Sequence, residues 1–377
     1  MIRRLPAVLA LVLLAPPALA CTLCPNLQAT PTLRKTLGDS KLVLYGTLKN
    51  PKLNAATNTG TVDLEIENVL KNDPFVTGKK TVTLNRYIPV DPKNPPRYLV
   101  FCEVDNGKLD PYRGVELKSN AAVDYVRGAS ALNPKDPSAA LLYFFRYIDH
   151  GDPEIANDAF LEFAKADDRE VGEVAKKLDP EKMRKLLNDP QTPPARIGLY
   201  AFLLGACGGD KEAAQLRSML DKPSEKAREA IDGILAGYIQ LRPREGWQLA
   251  GDMLKDTKER SIIDRTRIIQ TLRFYHGWKP KESKPEVLTA MKSALGTDLA
   301  DLALEDLRKW EWWEETATVL SLYGKKGYEA PLMRRAIIRY ALNCPRPDAA
   351  EFIKERRAKE ADLVKEVEDN LKFEKIK

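Results

Sequence analysis

Two cysteines three positions apart, Cys21 and Cys24, have the spacing at which a thiol pair can do redox chemistry. In a Cys-x-x-Cys pair the pKa of one thiol can fall, and the resulting thiolate attacks disulfides. Here Pro25 follows the pair and no strand-like run precedes it, so the context favours a structural disulfide. The candidates for that disulfide are Cys21, Cys24 and Cys102, and thiol redox activity is kept as an alternative.

The two histidines, His150 and His276, each stand just before a glycine at the end of a predicted helix. A cationic imidazole there would complement the helix C-terminus. Neither histidine has a second His or a Cys pair at metal-ligand spacing, and the chain has no Gly-x-Ser-x-Gly elbow and no phosphate-binding loop motif. The sequence therefore predicts no metal, no cofactor and no catalytic residue, and we expect that the chain is not an enzyme.

Clustered indoles and arginines are the remaining groups that could bind a ligand. Trp310, Trp312 and Trp313 stand together in a Trp-Glu-Trp-Trp segment, where exposed rings beside carboxylates could form a cleft. Six arginines at helical spacing could line a basic groove, namely Arg265, Arg267, Arg273, Arg334, Arg335 and Arg339. Packing between helices is the alternative for the indoles, and pairing with nearby Asp and Glu is the alternative for the arginines.

Residues 1–20 have the pattern of a cleaved secretory signal peptide. Two arginines form a basic start, an apolar run follows, and Ala18 and Ala20 are small residues at the exit. The pattern predicts export, to the periplasm, the outer membrane or the medium. Cleavage after Ala20 would place Cys21 first, so a lipid anchor on Cys21 is an alternative. No later run reaches the ~18 apolar residues that a membrane span needs.

The composition is that of an ordinary globular protein, with 44% hydrophobic and 30% charged residues. The formal net charge of +6 at pH 7 is small for 377 residues, and both signs are interspersed along the chain. Such a balance does not favour nucleic acid or an acidic membrane as a partner.

The segment from residue 41 to residue 118 alternates like antiparallel β-strands. Strand-like runs lie at 41–48, 61–70, 81–87, 97–104 and 112–117, separated by Asn, Gly, Pro and Lys. In the second run Val62, Leu64, Ile66 and Val69 are expected to face inward. Strands at this spacing without helices between them predict a small antiparallel β-barrel over residues 21–118.

Several short motifs of this region carry a family likeness. They are Cys21 with Cys24, the strand 42–48, the strand end 69–71, and residues 98–101 with the turn 105–107. On these motifs the region resembles the netrin-like, OB-type barrel of tissue inhibitors of metalloproteinases, although that family usually begins Cys-x-Cys. The resemblance implies an alternative function, a metalloprotease inhibitor whose terminal amine and Cys21 carbonyl would bind the protease zinc.

After residue 118 the hydrophobic period changes to that of helices, with a linker helix over 119–134 and a helical domain over 135–377. Alternate helix starts at residues 193, 224, 260, 298 and 330 recur at intervals of about 31 to 38 residues. The segments 195–205 and 209–214, with Leu216, carry this pattern most clearly. On these residues the domain resembles HEAT-like repeats, which implies an all-α solenoid of paired helices. A helical bundle or a superhelix of tetratricopeptide type is the alternative.

The expected architecture is therefore an α+β multidomain protein, a small β-barrel followed by an α-solenoid. Stacked helix pairs present a long preorganised face, on which many modest contacts can add up. We hypothesise an exported, non-enzymatic binding or scaffold protein that uses the solenoid surface for interaction with another protein.

Overall fold

The computed structural model describes residues 30–374 of the chain. Within that range, one short helix and five antiparallel strands precede a long series of helices, so the predicted α+β layout is confirmed. The strands are β1 (Leu42–Asn54), β2 (Thr59–Lys71), β3 (Thr81–Leu84), β4 (Arg97–Asp105) and β5 (Lys108–Leu117). The predicted signal peptide and the Cys21–Cys24 pair lie outside the described residues.

The sheet is open, and the prediction of a closed barrel is wrong. Its strand order is β3-β2-β1-β4-β5, in which β3 pairs only with β2 and β5 pairs only with β4. Closure would need these two edge strands to pair along their length, and β3 has only four residues. One face of the sheet is instead covered by helices.

Alternation along the strands gives the sheet two buried faces. Val43, Tyr45 and Phe101 pack into the same apolar core as the helices, whereas Leu44 and Cys102 belong to a second, smaller core on the opposite face. Because both faces are buried, the neighbouring strands β1 and β4 are apolar at successive positions, over residues 42–45 and 99–102, whereas β2, β3 and β5 alternate.

Val69 is more exposed than the predicted alternation leads one to expect. Its side chain is 38% exposed, although Val62 and Leu64 on the same strand are wholly buried. Tyr45 pairs with Asn68 and the next residue of β1 pairs with Ile66, so β2 has one extra residue at this point. The extra residue returns Val69 to the face of Val62 and Leu64, where it pairs with the buried Leu44. Val69 is nevertheless exposed, and β3 pairs only with residues 62–65 of β2.

Eighteen helices lie within the described range, and most of them follow the sheet. They are α1 (Leu33–Asp39), α2 (Ala121–Ser130), α3 (Pro137–Phe145), α4 (Pro153–Lys165), α5 (Asp168–Ala175), α6 (Pro180–Asn188), α7 (Pro194–Cys207), α8 (Asp210–Asp221), α9 (Glu225–Arg228), α10 (Ile231–Leu241), α11 (Pro243–Lys255), α12 (Ile262–Trp278), α13 (Lys284–Leu295), α14 (Ala300–Lys309), α15 (Thr316–Ser321), α16 (Pro331–Asn343), α17 (Pro347–Lys359) and α18 (Ala361–Glu374). None of the helices in residues 30–374 has the length and apolar content that a bilayer crossing requires.

Local sequence explains many of the helix starts. Asp136, Asp152 and Asp179 each accept a hydrogen bond from a backbone N–H of the first turn, and each is followed by a proline at the first helical position. Asp167 forms a reciprocal capping box with Glu170 at the start of α5.

Asp158 of α4 joins the helices to the segment that precedes the sheet. Its Oδ1 accepts a 2.7 Å hydrogen bond from the backbone N–H of Leu33, and its Oδ2 accepts a 2.6 Å bond from the Tyr125 hydroxyl. One turn further along α4, Glu162 pairs with both Arg34 Nε and Arg34 Nη2. These buried contacts fix α1 and α2 against α4, and burial raises the pKa of Asp158 to about 6.

Several helices pack against the helix that follows two or three helices later in the chain. Thus α7 contacts α10, α10 contacts α12, α14 contacts α16, and α16 contacts α18. The closest of these approaches is between α7 and α10, where glycines let the backbones meet. A methyl group at Gly237 would lie 2.2 Å from the Ala201 carbonyl oxygen, and one at Gly233 would lie 2.2 Å from the Gly198 carbonyl oxygen.

Side chains also bond to the backbone of the preceding unit at similar intervals. Gln240 Nε2 donates to the Phe202 carbonyl (3.0 Å), and Thr271 Oγ1 donates to the Asp232 carbonyl (2.9 Å). The partners are 38 and 39 residues apart in the two bonds. The interval is at or just above the upper end of the range of about 31 to 38 residues predicted from sequence, and the Tyr328 hydroxyl bonds to the Leu295 carbonyl 33 residues earlier. These contacts are consistent with a helical repeat of uneven length.

Candidate functional site

The tryptophan segment packs between helices. Trp310 stacks on His276 of α12 with ring centroids 4.2 Å apart, and Trp312 is only 6% exposed. Trp313 lies edge-on to Tyr340 of α16 at 5.0 Å. The three rings therefore fill the space between α12, α14 and α16, and little of Trp312 is open to a ligand.

The end of α14 explains why the indoles turn inward. Glu311 has a φ of 58°, a left-handed conformation, and the N–H of Trp312 reaches back to the Leu307 carbonyl at 2.9 Å. This is the Schellman arrangement that ends a helix, in which the left-handed position is usually glycine. The chain reverses at Glu311 and brings Trp312 beneath Trp310.

The α12 arginines are paired with carboxylates of the next unit. Arg265 is 2% exposed and forms two hydrogen bonds to Asp298, at 2.6 and 2.9 Å. Arg273 Nε lies 2.8 and 3.0 Å from the two carboxylate oxygens of Asp306. Arg267 is half-buried, and its charge acts on the buried Asp232.

The arginines of α16 are paired in the same way with α18 and the residue before it. Arg335 lies 2.9 and 3.0 Å from the oxygens of Glu366, while Arg334 pairs with Glu360 and Arg339 pairs with Glu374. The expected basic groove is thus largely neutralised by inter-helix pairs that connect neighbouring units.

The histidines occupy different environments from those expected. α3 ends at Phe145, so His150 lies in the turns after it, where Nδ1 accepts a 3.0 Å hydrogen bond from the Asp152 N–H. His276 does lie in the last turn of α12, but burial lowers its pKa and so disfavours the expected cation. In residues 30–374 no three His, Cys, Asp or Glu side chains are grouped so that they could hold a metal ion.

The described cysteines are not bonded to one another. Cys102 is wholly buried, and burial raises the pKa of its thiol to about 12. Cys207 is half-buried with a pKa raised to about 11 for the same reason, and Cys344 is buried. A disulfide from Cys102 to Cys21 or Cys24 stays a prediction, because both candidate partners precede the described residues.

A groove that the sequence did not predict lies between two successive helix pairs. It is formed by the end of α10, the start of α11, the end of α12 and the start of α13, and it encloses about 580 Å³. Its lining residues are Ile239, Gln240, Pro243, Arg244, Trp247, Tyr275, Lys279, Glu282, Ser283 and Glu286. We call it the α10–α13 groove.

The aromatic wall of this groove is rigid. Trp247 and Tyr275 meet edge to face with centroids 4.8 Å apart, and the Tyr275 hydroxyl is fixed by a 2.8 Å bond to the Ala236 carbonyl. Ser283 Oγ donates to the Lys279 carbonyl at 2.7 Å, which holds the turn between α12 and α13. The groove is therefore preorganised by contacts that also stack the two units.

Four charged side chains line the groove without forming ion pairs to any described residue. They are Arg244, Lys279, Glu282 and Glu286. One carboxylate oxygen of Glu286, Oε2, is fully buried and has no hydrogen-bond donor within residues 30–374. The Lys279 ammonium lies 4.1 Å from the centroid of the Trp278 ring. This absence of pairing distinguishes the groove from the arginine pairs of α12 and α16.

One lining residue of this groove, Trp247, is a feature that sequence analysis could have singled out. Trp247 is a half-buried indole in α11, one turn after Pro243. Its partner Tyr275 belongs to the following unit, and a single sequence does not indicate which of its thirteen tyrosines lies there.

Comparison with models of protein families finds no match, and comparison with curated proteins finds none. Among solved structures, human deoxyhypusine hydroxylase in complex with glycerol matches with 16% sequence identity and a TM-score of 0.27. The match covers 66% of this chain and 96% of that chain.

The sequence predicted that the chain is not an enzyme, and this comparison contradicts that prediction, because the matched structure is a hydroxylase. At this TM-score the likeness assigns neither a reaction nor a site to the chain.

Proposed function

We propose that this chain is an exported protein that binds another protein on the surface of a HEAT-like helical solenoid. The inter-unit hydrogen bonds, which span 38 and 39 residues in α10 and α12, support a repeat architecture. Export is proposed on the signal-peptide pattern of residues 1–20.

The observation that carries the proposed binding function is the α10–α13 groove. Most of the α12 and α16 arginines form pairs between units, whereas Arg244, Glu282 and Glu286 form no ion pair with a described residue and line the groove beside an indole. Tryptophan, tyrosine and arginine are the residues that most often dominate binding energy at protein interfaces. A partner seated here would contact two successive units at once, and the groove would need little rearrangement to receive it.

Affinity capture with matched baits tests this function. The tagged full chain, its Trp247→Ala variant and its Tyr87→Ala variant are each used to capture proteins from the exported fraction of the native host. Tyr87 is a suitable control, because it is an aromatic residue that is 40% exposed and lies between β3 and β4, outside the groove lining.

We expect the wild-type chain and Tyr87→Ala to retain the same protein, and Trp247→Ala to lose it. Equal retention by Trp247→Ala, or no protein retained by the wild-type chain, would refute the proposal. Circular dichroism of the three baits establishes that they are equally folded.

A further inference from the structure

We infer that the α10–α13 groove receives a basic side chain, arginine or lysine, of the partner protein. This inference depends on the proposed function, since it names the chemistry of what the binding surface recognises. It is carried by the carboxylate of Glu286, by the ring of Trp247 and by the arrangement of the other charges around them.

Glu286 supplies an acceptor that lacks a donor. Its Oε2 is completely removed from solvent and makes no hydrogen bond to any residue of 30–374. A buried charged oxygen without a donor is costly, and a cationic donor forms a stronger bond to it than a neutral one. A guanidinium or ammonium group entering the groove would reach this carboxylate through its other oxygen, Oε1, and so compensate the charge that Oε2 carries without a donor.

Trp247 supplies a surface on which a cation can lie. Its side chain is half-buried and its ring is held edge to face against Tyr275. The faces of indole rings attract cations, more strongly when water is excluded. The same chain uses this contact twice nearby, since Lys279 lies 4.1 Å from the Trp278 ring and Lys284 lies 5.1 Å from the Trp312 ring.

The remaining charges favour a cation over an anion at the floor of the groove. The Lys279 ammonium is directed toward Trp278, and Arg244 and Glu282 are exposed residues of the groove lining. An anion beside Glu286 would be repelled by a carboxylate that no described residue neutralises. A basic side chain meets Glu286 in the groove and Glu282 at its edge, while Arg244 is free to pair with an acidic residue beside it on the partner.

Tryptophan NMR with a small probe tests this chemistry without the partner. The full chain, labelled with 15N at its indoles, is titrated with N-acetyl-arginine amide, with N-acetyl-norleucine amide and with N-acetyl-glutamate amide. The Trp247 signal is assigned as the one that is missing from Trp247→Phe. We expect saturable shifts of the Trp247 signal with the arginine probe, and weaker shifts or none with the other two.

Glu286→Gln keeps the shape of the side chain and removes its charge, and Glu282→Gln is the matched control at the rim. We expect Glu286→Gln to lower the affinity for the arginine probe by about tenfold or more, and Glu282→Gln to lower it less. Absence of a Trp247 shift, equal shifts with norleucine, a stronger effect of the glutamate probe, or unchanged affinity in Glu286→Gln would each overturn the inference.

Affinity capture with Glu286→Gln separates this inference from the proposed function. A partner that depends on Trp247 but is retained equally by Glu286→Gln would leave the function standing and refute the basic side chain. The reverse outcome is also possible: the arginine probe binds, but Trp247→Ala captures the partner as well as the wild-type chain does. That outcome would refute the role of the groove in partner binding and leave the cation site standing.

Discussion

The Tyr275 hydroxyl donates a 2.8 Å hydrogen bond to the Ala236 carbonyl, and this bond connects α12 to α10. The same ring forms part of the wall of the α10–α13 groove, 4.8 Å from Trp247. Stacking of two units and construction of the groove therefore depend on one side chain.

Removal of this hydroxyl tests its contribution to stacking. We expect Tyr275→Phe to lower the free energy of unfolding by about 1 kcal/mol, because a buried intramolecular hydrogen bond is lost while the ring is kept. Urea unfolding followed by far-ultraviolet circular dichroism measures this change. Tyr87→Phe, at an exposed position, should leave the unfolding midpoint unchanged, and an equal effect of the two substitutions would show that the hydrogen bond does not contribute.

The close approach of α7 and α10 predicts that glycine is required at their contact. We expect Gly237→Ala to destabilise the chain by about 1–3 kcal/mol, because the added methyl group would lie 2.2 Å from the Ala201 carbonyl oxygen. The matched substitution is Gly251→Ala in α11, where the nearest atom is Ser293 Oγ at 3.4 Å. It should be neutral or stabilising by up to about 1 kcal/mol, since alanine is the better helix former. Similar effects at both positions would contradict the packing described.

The left-handed residue at the end of α14 predicts a stabilising substitution. Glu311 has a φ of 58° and is exposed, so its side chain gains no packing that would offset the strain. We expect Glu311→Gly to raise the free energy of unfolding by about 1 kcal/mol. Differential scanning calorimetry measures the change, and a lower melting temperature would contradict the assigned turn.

Buried Asp232 predicts how stability depends on pH. Burial raises its pKa to about 6, from about 3.9 in an unfolded chain, although Arg267 opposes the shift. The folded state therefore binds this proton more tightly, so the contribution of Asp232 to stability is complete below about pH 4 and is lost as pH rises through about 6. We expect Asp232→Asn to remove this part of the pH dependence.

Urea unfolding at steps between pH 4 and pH 7.5 measures the pH dependence for the wild-type chain and Asp232→Asn. The exposed substitution Asp221→Asn should leave the shape of the curve unchanged. A wild-type curve and an Asp232→Asn curve that run parallel would show that Asp232 does not titrate in this range.

Local signals predicted the elements well. The Asp-Pro steps at Asp152 and Asp179 begin helices, and alternation at Val62 and Leu64 marks buried positions of a strand. These features depend on neighbours in sequence, through hydrogen bonds to the first turn and through the pleat of the strand.

Features that depend on distant partners could not be predicted in the same way. The closed barrel required β3 and β5 to pair, and the basic groove required Arg265 to be free, whereas it is bonded to Asp298. The α10–α13 groove likewise combines Trp247 with Tyr275, which belong to successive units. Helical spacing gives the interval between units, but it does not give the register of the side chains across them.

Photo-crosslinking from the rim of the α10–α13 groove is the most direct test of the proposed function. A benzophenone amino acid is placed at Arg244 in the full chain, and in a second variant at Lys354 of α17, which is also exposed. We predict that irradiation in the exported fraction of the native host joins the partner protein to the Arg244 variant and not to the Lys354 variant. A partner joined only to the Lys354 variant, or equally to both, would contradict binding at this groove.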